Sequence, residues 1–329
     1  MTRFSVILPT RDRPELFRQA LGSVLAQSDA EFNIVVVNDG SDPTHAAAYG
    51  AIEAESDGRM QFLELAHRSR GHGPSYALNT GAAHACGDYL CFLDDDDLWT
   101  DPYHLSRAAR AIALAGDLDL YLADQEAWSD GAIQPPPIWI EDLLAHVPDL
   151  LPPDQSGCHA VTPDELLRAN GFCHLNTLIV RRALFMELGG LDESLRYESD
   201  RDFYLRAIDR ASTIRYAPFR VARHHVPVAA RAANVSTMVS TAEKRLCQLR
   251  LLDKQILSAR WPEIRQYAWM HKAYTLQKLA DELAGAGLCR TAARYAREAL
   301  AVRPSAGWLA MTMLYGARSL VSGFRSNKD

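Results

Sequence analysis

Over the first 124 residues, short apolar runs alternate with stretches of helical periodicity, a pattern that few folds accommodate. "FSVILPT" (4–10), "FNIVVVNDGSD" (32–42), "MQFLEL" (60–65), "YLCFL" (89–93) and "LDLYLAD" (118–124) read as strands. "PELFRQALGSVLAQ" (14–27) carries apolar residues at helical spacing, with Pro14 suited to a first turn, and a further helix spans 75–86. Strands alternating with helices predict an α/β fold, with a mostly parallel central sheet flanked by helices on both faces.

The pattern then changes twice. Residues 129–170 read as a long loop-like insertion holding Pro135, Pro136, Pro137, Pro148, Pro152 and Pro153, a length usually reserved for function. "LNTLIVRR" (175–182) resumes a strand, and "DRDFYLRAID" (200–209) reads as a helix start. From about 241 the periodicity is wholly helical, and "AGLCRTAARYAREALAVRP" (286–304) looks like a single tetratricopeptide-type unit. The expected organisation is a domain over 1–239 and an all-helical region over 240–329.

Charge follows the same division. Residues 240–329 hold 15 Lys/Arg against 7 Asp/Glu, a balance of +8, and residues 1–239 hold 20 against 34, a balance of −14. An acidic front half does not suit nucleic acid, whose phosphates demand a basic footprint. The six cysteines are scattered without zinc spacing, the start lacks a signal-peptide core, and no run of 18 apolar residues occurs. Cytoplasm is the expected compartment.

Three polar clusters stand at strand ends: Thr10-Arg11-Asp12, Asn38 to Asp42, and Asp94 to Asp97. Ligands of open α/β sheets bind at the carboxyl ends of strands, so adjacent strands bring these clusters into one crevice. Asp39 suits hydrogen bonds from a base or ribose beside the permissive Gly40, and an Asx turn is its plainer role. Four aspartates behind a buried strand repel one another and lose solvation, which calls for a bound cation. Asp94 and Asp96 have D-x-D spacing, pointing the same way along an extended chain, and hard cations such as Mg²⁺ or Mn²⁺ take carboxylates plus substrate phosphates.

"SVILPTRDRPELFRQALGSVLAQ", "IVVVNDGSD", "LNTGAAHACGDYLCFLDDDDLW" and "GGLDESLRYESDRDFYLRA" together resemble the family 2 glycosyltransferases of the GT-A fold, over roughly residues 4–225. The resemblance implies inverting transfer from a nucleotide-diphosphate sugar, commonly a UDP-sugar, to a glycan or lipid-linked acceptor, with Mn²⁺ or Mg²⁺. It places Pro9, Thr10, Arg11 and Asp12 at the nucleotide and Asp39 at the base. It assigns Asp94 and Asp96 to the metal, Asp95 to the donor sugar or ribose, and Asp97 to capping the segment through Leu98-Trp99. Asp200 aligns with the catalytic base, with Glu198 as the runner-up and a helix N-cap near Asp202 as the structural alternative.

Two positions depart from the family pattern. Ala77-Leu78-Asn79 stands where many relatives carry Ala-Arg-Asn; Asn79 is retained as a donor contact, and Arg68, Arg70 or Arg11 is left to supply the charge. "RVARHHVP" offers His224 or His225 as a third metal ligand. Competing classes fare worse: the first strand lacks the glycine-rich loop of a nucleotidyltransferase, and "GHGPSY" (71–76) lacks the third glycine of a dinucleotide fingerprint. A non-catalytic GT-A-like scaffold with a partner-recruiting tail is the alternative from another class. For the tail, Arg290, Arg294 and Arg297 form one helical stripe, and "GWLAMTMLYGARSLVSGFR" (307–325) is amphipathic. Docking on the core or a homo-oligomer is its plain reading; peripheral contact with an anionic membrane is the sharper one.

Overall fold

The computed structural model describes residues 3–55, 58–135, 138–226 and 239–325. Pro136 and Pro137 of the insertion, and residues 227–238 ahead of the expected 239/240 boundary, lie outside them. The chain divides into two compact units, Met1–Val228 and Ala229–Asp329.

The first unit is built on one sheet. Its strands are β1 (Arg3–Thr10), β2 (Glu31–Asn38), β3 (Met60–Glu64), β4 (Tyr89–Phe92), β5 (Leu98–Trp99), β6 (Leu120–Ser129), β7 (Ala132–Ile133), β8 (His159–Ala160), β9 (Leu178–Arg181) and β10 (Ile214–His225). They lie in the order β3-β2-β1-β4-β9-β6-β10-β5, with β7 beside β6 and β8 beside β10. Pairing is parallel through β3-β2-β1-β4 and again between β6 and β10. β9, which follows the insertion, runs antiparallel to both neighbours.

Local chemistry explains the first layers. Pro14 opens α1 (Pro14–Leu25), which buries Phe17, Ala20, Leu21 and Val24 beneath Phe4, Val6 and Leu8 of β1. On the other face, α3 (Pro74–His84; α2 is Ala46–Ala54) lies against Ile7 and Val37. A Cβ on Gly81 would stand 2.5 Å from Ile7 Cγ2, so glycine is what lets this helix sit so near the sheet. The parallel register brings Thr10 opposite Asn38, and the Asp39 N–H donates to the Thr10 carbonyl at 2.9 Å. Both polar clusters therefore end at one edge.

The insertion is less irregular than its prolines predict. It holds β7, β8, a 3₁₀ turn at Ile140–Asp142, α5 (Leu143–His146) and α6 (Pro163–Leu166), the last closed by a Thr162–Glu165 capping box. Two more helices, α7 (Arg182–Glu187) and α8 (Ser199–Arg210), precede β10; α4 (His104–Ala115) covers the other face with Leu105, Ala108 and Ala111.

His104 of α4 is fully buried, edge-on to Trp99 at 5.0 Å, and neither ring nitrogen has a hydrogen-bond partner among the described residues. Burial pushes its pKa down to about 4, so the folded protein keeps it neutral where an unfolded chain takes up a proton. Stability is therefore lost as pH falls from about 6.5 towards 4. His104→Leu is expected to raise urea-unfolding stability by about 1–2 kcal/mol at pH 7, because an unsatisfied buried polar group is replaced by an apolar one. The gain should widen at pH 5; an equal or smaller gain there would contradict the neutral buried state.

Among the described residues the second unit is wholly helical: α9 (Thr241–Ser258), α10 (Pro262–Gly285), α11 (Cys289–Val302) and α12 (Ala306–Arg325). Ser240 and Glu243 form a capping box at the start of α9. Ala292, Ala293, Ala296 and Ala299 form the buried stripe of α11, small side chains that let its neighbours approach.

Candidate active site

The acidic run sits where β4 ends between β1 and β9. Asp97 N–H donates to the Asp94 carbonyl at 3.2 Å, so the run is a β-turn and not the extended chain its spacing suggested. The turn still alternates. Asp95 and Asp97 are buried outright while Asp94 and Asp96 are mostly buried, the Asp96 side chain keeping 16% exposure, so the D-x-D pair is the less covered half of the turn.

Each buried aspartate has a positioning job. Asp95 accepts from Thr10 Oγ1 at 2.9 Å and from Arg13 at 2.8 Å; Arg13 also reaches Asp96 at 2.9 Å. Thr10 shares Tyr49 as a second partner, and the Arg13 N–H donates to the same phenol oxygen. Asp97 corrects the expectation of a cap for Leu98-Trp99. Its carboxylate accepts from His224 Nδ1 at 2.7 Å, from the His225 N–H at 2.7 Å and from Asn176 Nδ2 at 2.6 Å. Asn176 closes the ring, accepting the Asp94 N–H at 3.2 Å on its side-chain oxygen and Trp99 Nε1 at 2.8 Å on its carbonyl.

Electrostatics follow from this crowding. Burial, then Asp97 and Asp96, push the Asp94 carboxyl well above its ordinary value, and burial with Asp97 raises Asp96. Burial lifts Asp95 to about 7 against the pull of Arg13. Burial opposes charge on His224, but Asp97 holds it up to about 9; reciprocally, burial resists ionisation of Asp97 while His224 brings it below the usual carboxylate range. Arg13 and His224 are thus the positive groups facing four carboxyls, and the less covered pair is short of countercharge.

Asp200 stands across from this turn. It lies inside the first turn of α8, which begins at Ser199, and Glu198 (φ 57°) takes the N-cap position, so Asp200 is not the cap its sequence allowed. Its Oδ1 accepts the Arg201 N–H at 2.8 Å, and its Oδ2 lies 3.5 Å from His174 Nε2. His174 Nδ1 accepts the Asn176 N–H at 3.3 Å, which places the ring proton on Nε2, aimed at Asp200. Burial, then His224, drives His174 down to about 3, and burial raises Asp200 to about 6. From the insertion, Trp139 packs edge-on against His224 at 5.0 Å and His174 at 6.0 Å.

The nucleotide-side residues form a second group. Asp39 accepts the N–H groups of His72 (2.8 Å) and Gly73 (2.9 Å) and the His72 ring nitrogen (2.8 Å). His72 stacks on Tyr76 at 5.0 Å. Gly71 has φ +61°, and a Cβ there would lie 2.4 Å from Asp39 Oδ2 and 2.3 Å from an Arg11 nitrogen, so the 71–73 turn requires glycine. Arg11 donates to the Arg68 carbonyl at 2.8 Å, and Asp12 (φ 57°) accepts the Asp42 N–H at 2.6 Å. Pro9, half-buried, pairs with Val37 next to them. Asn79 is engaged elsewhere, tying the turn after α7 through Leu191 (2.9 Å both ways) and Glu193 (2.9 Å).

Arg13 and His72 were not singled out as site residues in the sequence, whereas His174 and Asn176, and the 129–170 insertion that carries Trp139, were expected only to shape the acceptor pocket. Arg13 alone had a local signal, one position past the Thr10-Arg11-Asp12 cluster.

Donor chemistry tests the metal. Among the described residues no three His, Cys, Asp or Glu side chains form a ready cage. A nucleotide-bound Mg²⁺ or Mn²⁺ needs only one or two carboxylates, completing its shell with phosphate oxygens, and Asp94 with Asp96 fit that requirement. Of the two histidines, His225 donates its Nδ1–H to the Asp96 carbonyl at 2.6 Å, whereas His224 rests on Asp97 in the carboxylate–histidine arrangement that orients metal ligands.

A mixed sheet with its polar clusters at the carboxyl edge, flanked by helices, defines the GT-A class of α/β fold. Residues 5–117, about a third of the chain, match the family described as Glycosyl transferase family 2. Succinoglycan biosynthesis protein ExoW of Rhizobium meliloti is 33% identical over 126 residues, 37% of this chain and 38% of that protein; the match spans well under half of that relative. Staphylococcus aureus TarS 1–349, solved in complex with UDP, superposes with a TM-score of 0.59 at 20% identity over 85% of this chain and 71% of that one. The mannosyltransferase PcManGT from Pyrobaculum calidifontis, solved with GDP-Man and Mn²⁺, gives 0.59 at 18% identity over 99% and 82%. At these identities the likeness is one of fold.

Proposed function

We propose that this protein is an inverting glycosyltransferase that moves a sugar from a nucleotide-diphosphate donor to a glycan or lipid-linked acceptor. The observation that carries the reading is the pairing of Asp200, a part-buried carboxyl raised to about 6, with the neutral His174 at 3.5 Å, whose ring in turn packs on the His224 that pairs with Asp97 of the acidic turn. A base needs a pKa near working pH and a fixed orientation, and Asp200 has both. Its Oδ1 is held by the Arg201 amide and Oδ2 faces His174, so Asp200 takes the acceptor hydroxyl's proton as that oxygen attacks the anomeric carbon. His174 Nε2–H steadies the carboxylate throughout. Attack opposite the departing diphosphate by a single activated oxygen inverts the anomeric centre.

Asp94 and Asp96 would hold Mg²⁺ or Mn²⁺, whose Lewis acidity would stabilise charge on the leaving diphosphate, and His224 would join them only on losing its Nε2 proton while Nδ1–H stays on Asp97. Thr10 and Arg13 keep Asp95 in place beneath the pair, and Asp39 with the 71–73 turn forms the base end of the cleft. The similarity to a succinoglycan biosynthesis protein supports a role in building a cell-surface polysaccharide, and the solved neighbours support a nucleotide-sugar donor. UDP is the donor base implied by the resemblance.

Calorimetric titration with UDP, GDP and dTDP, with and without Mn²⁺, tests this reading. One nucleotide should bind in a Mn²⁺-dependent manner, and Asp96→Ala should weaken it at least tenfold, the scale of losing one metal ligand's contribution. Absence of binding by all three nucleotides with and without metal would overturn the enzyme reading in favour of a scaffold.

A further inference from the structure

Helix α12 has two apolar faces, and the second unit uses only one. The inner face is docked firmly: Tyr315 is buried against Ala280, Ala293 and Ala296, with Trp308 and Met311 packed beside it. Trp308 Nε1 donates to the Ala296 carbonyl at 2.9 Å, and Tyr315 donates to Asp281 at 2.5 Å, which fixes the helix's rotation. At about 100° per residue the outward arc then holds Leu309, Ala310, Met313, Leu314, Ala317 and Leu320, all exposed. Leu309 is 43% exposed, Met313 65% and Leu320 68%. A helix apolar all round is a buried helix, and an uncovered face of this kind marks an interaction site.

Charge identifies what covers it. Residues 306–325 contain no Asp or Glu. Arg318 edges the apolar arc on one side; on the other, Arg297 lines a shallow groove with Leu300, Pro304 and Leu309. Among the described residues no carboxylate pairs with Arg297, Arg303 or Arg318. A second copy of the same face would meet these arginines with more arginine. An apolar stripe bordered by cations and free of acids complements an anionic lipid surface. No described helix is long and apolar enough to cross a membrane, so α12 would lie in the interface and not span it.

We propose that the outward face of α12 seats the protein in the plane of an anionic membrane, with Leu309, Met313 and Leu320 in the acyl boundary and Arg297 and Arg318 at the headgroups. This does not depend on the glycosyltransferase reading, because lipid binding is read without any donor or acceptor.

The test is co-sedimentation of the full chain with vesicles of phosphatidylcholine alone or mixed with phosphatidylglycerol, at low and high salt. Wild type should bind the anionic vesicles, less so at high salt, and the neutral ones weakly. Arg297→Ala with Arg318→Ala should weaken anionic binding about 25-fold, roughly fivefold for each charge at the surface. Met313→Glu should abolish binding, and Ala310→Glu, on the same face and away from the inner packing, gives the same loss if the first variant misfolds. Three outcomes overturn the proposal: no binding to either vesicle, binding unaffected by both Glu variants, or a dimer in sedimentation velocity that Ala310→Glu dissolves while vesicles remain unbound.

Discussion

Asp200→Asn is expected to lower kcat by about 10²–10⁴, the range a general base contributes, while the affinity for donor nucleotide stays within about twofold. The asymmetry follows from placement. Asp200 faces His174 across from the turn, whereas the nucleotide-side groups gather around Asp39 and Asp95. The pH profile adds a separate readout. Burial raises Asp200 to about 6, and a base acts only when deprotonated, so wild-type kcat should be flat above that point and fall about tenfold per unit below it. The variant's residual rate should lose that acid limb. An Asp200→Asn enzyme with near-normal kcat, or an unchanged limb, would remove Asp200 from the base role and point to Glu198.

The second large effect is on stability and separates two neighbours in the acidic run. Asp97→Asn should destabilise the protein by about 3–5 kcal/mol in urea unfolding, as for breaking a buried charged pair. The carboxylate of Asp97 accepts three donors, and an amide in its place turns one oxygen into a donor facing His224, His225 or Asn176. Asp96→Ala should do the opposite. Its carboxyl is raised by burial and by Asp97, and Arg13 keeps Asp95 when Asp96 is gone, so unfolding stability should be unchanged or higher while nucleotide binding is lost. That trade, stability gained where function is lost, is expected of a site strained to hold a ligand. If both variants destabilise equally, the run is a structural element throughout and Asp96 is not held for a ligand.

Some of this was legible from residue order because it depends on local patterns. Apolar runs, helical spacing and Pro14 announced β1, α1, β2 and β4 where they occur, and the clusters ending those strands had to meet once the strands were adjacent and parallel. D-x-D spacing suggested an extended chain, whereas a β-turn produces the alternation that leaves Asp94 and Asp96 less covered than Asp95 and Asp97.

Tertiary structure decided the rest, and the reason is sequence separation. Asp97 meets His224 and Asn176 across 127 and 79 residues, contacts that exist only because β10 and the turn before β9 arrive beside the end of β4. No spacing rule links them. His174 was legible only as part of a stretch shaping the acceptor pocket; its packing on His224 and the proton aimed at Asp200 came from the fold. Likewise the amphipathic pattern of α12 was readable by itself, but not which of its two apolar faces would be used. Packing of Tyr315 and Trp308 settled that, because a helix can bury only one side against a single neighbour and the other side is left for something else.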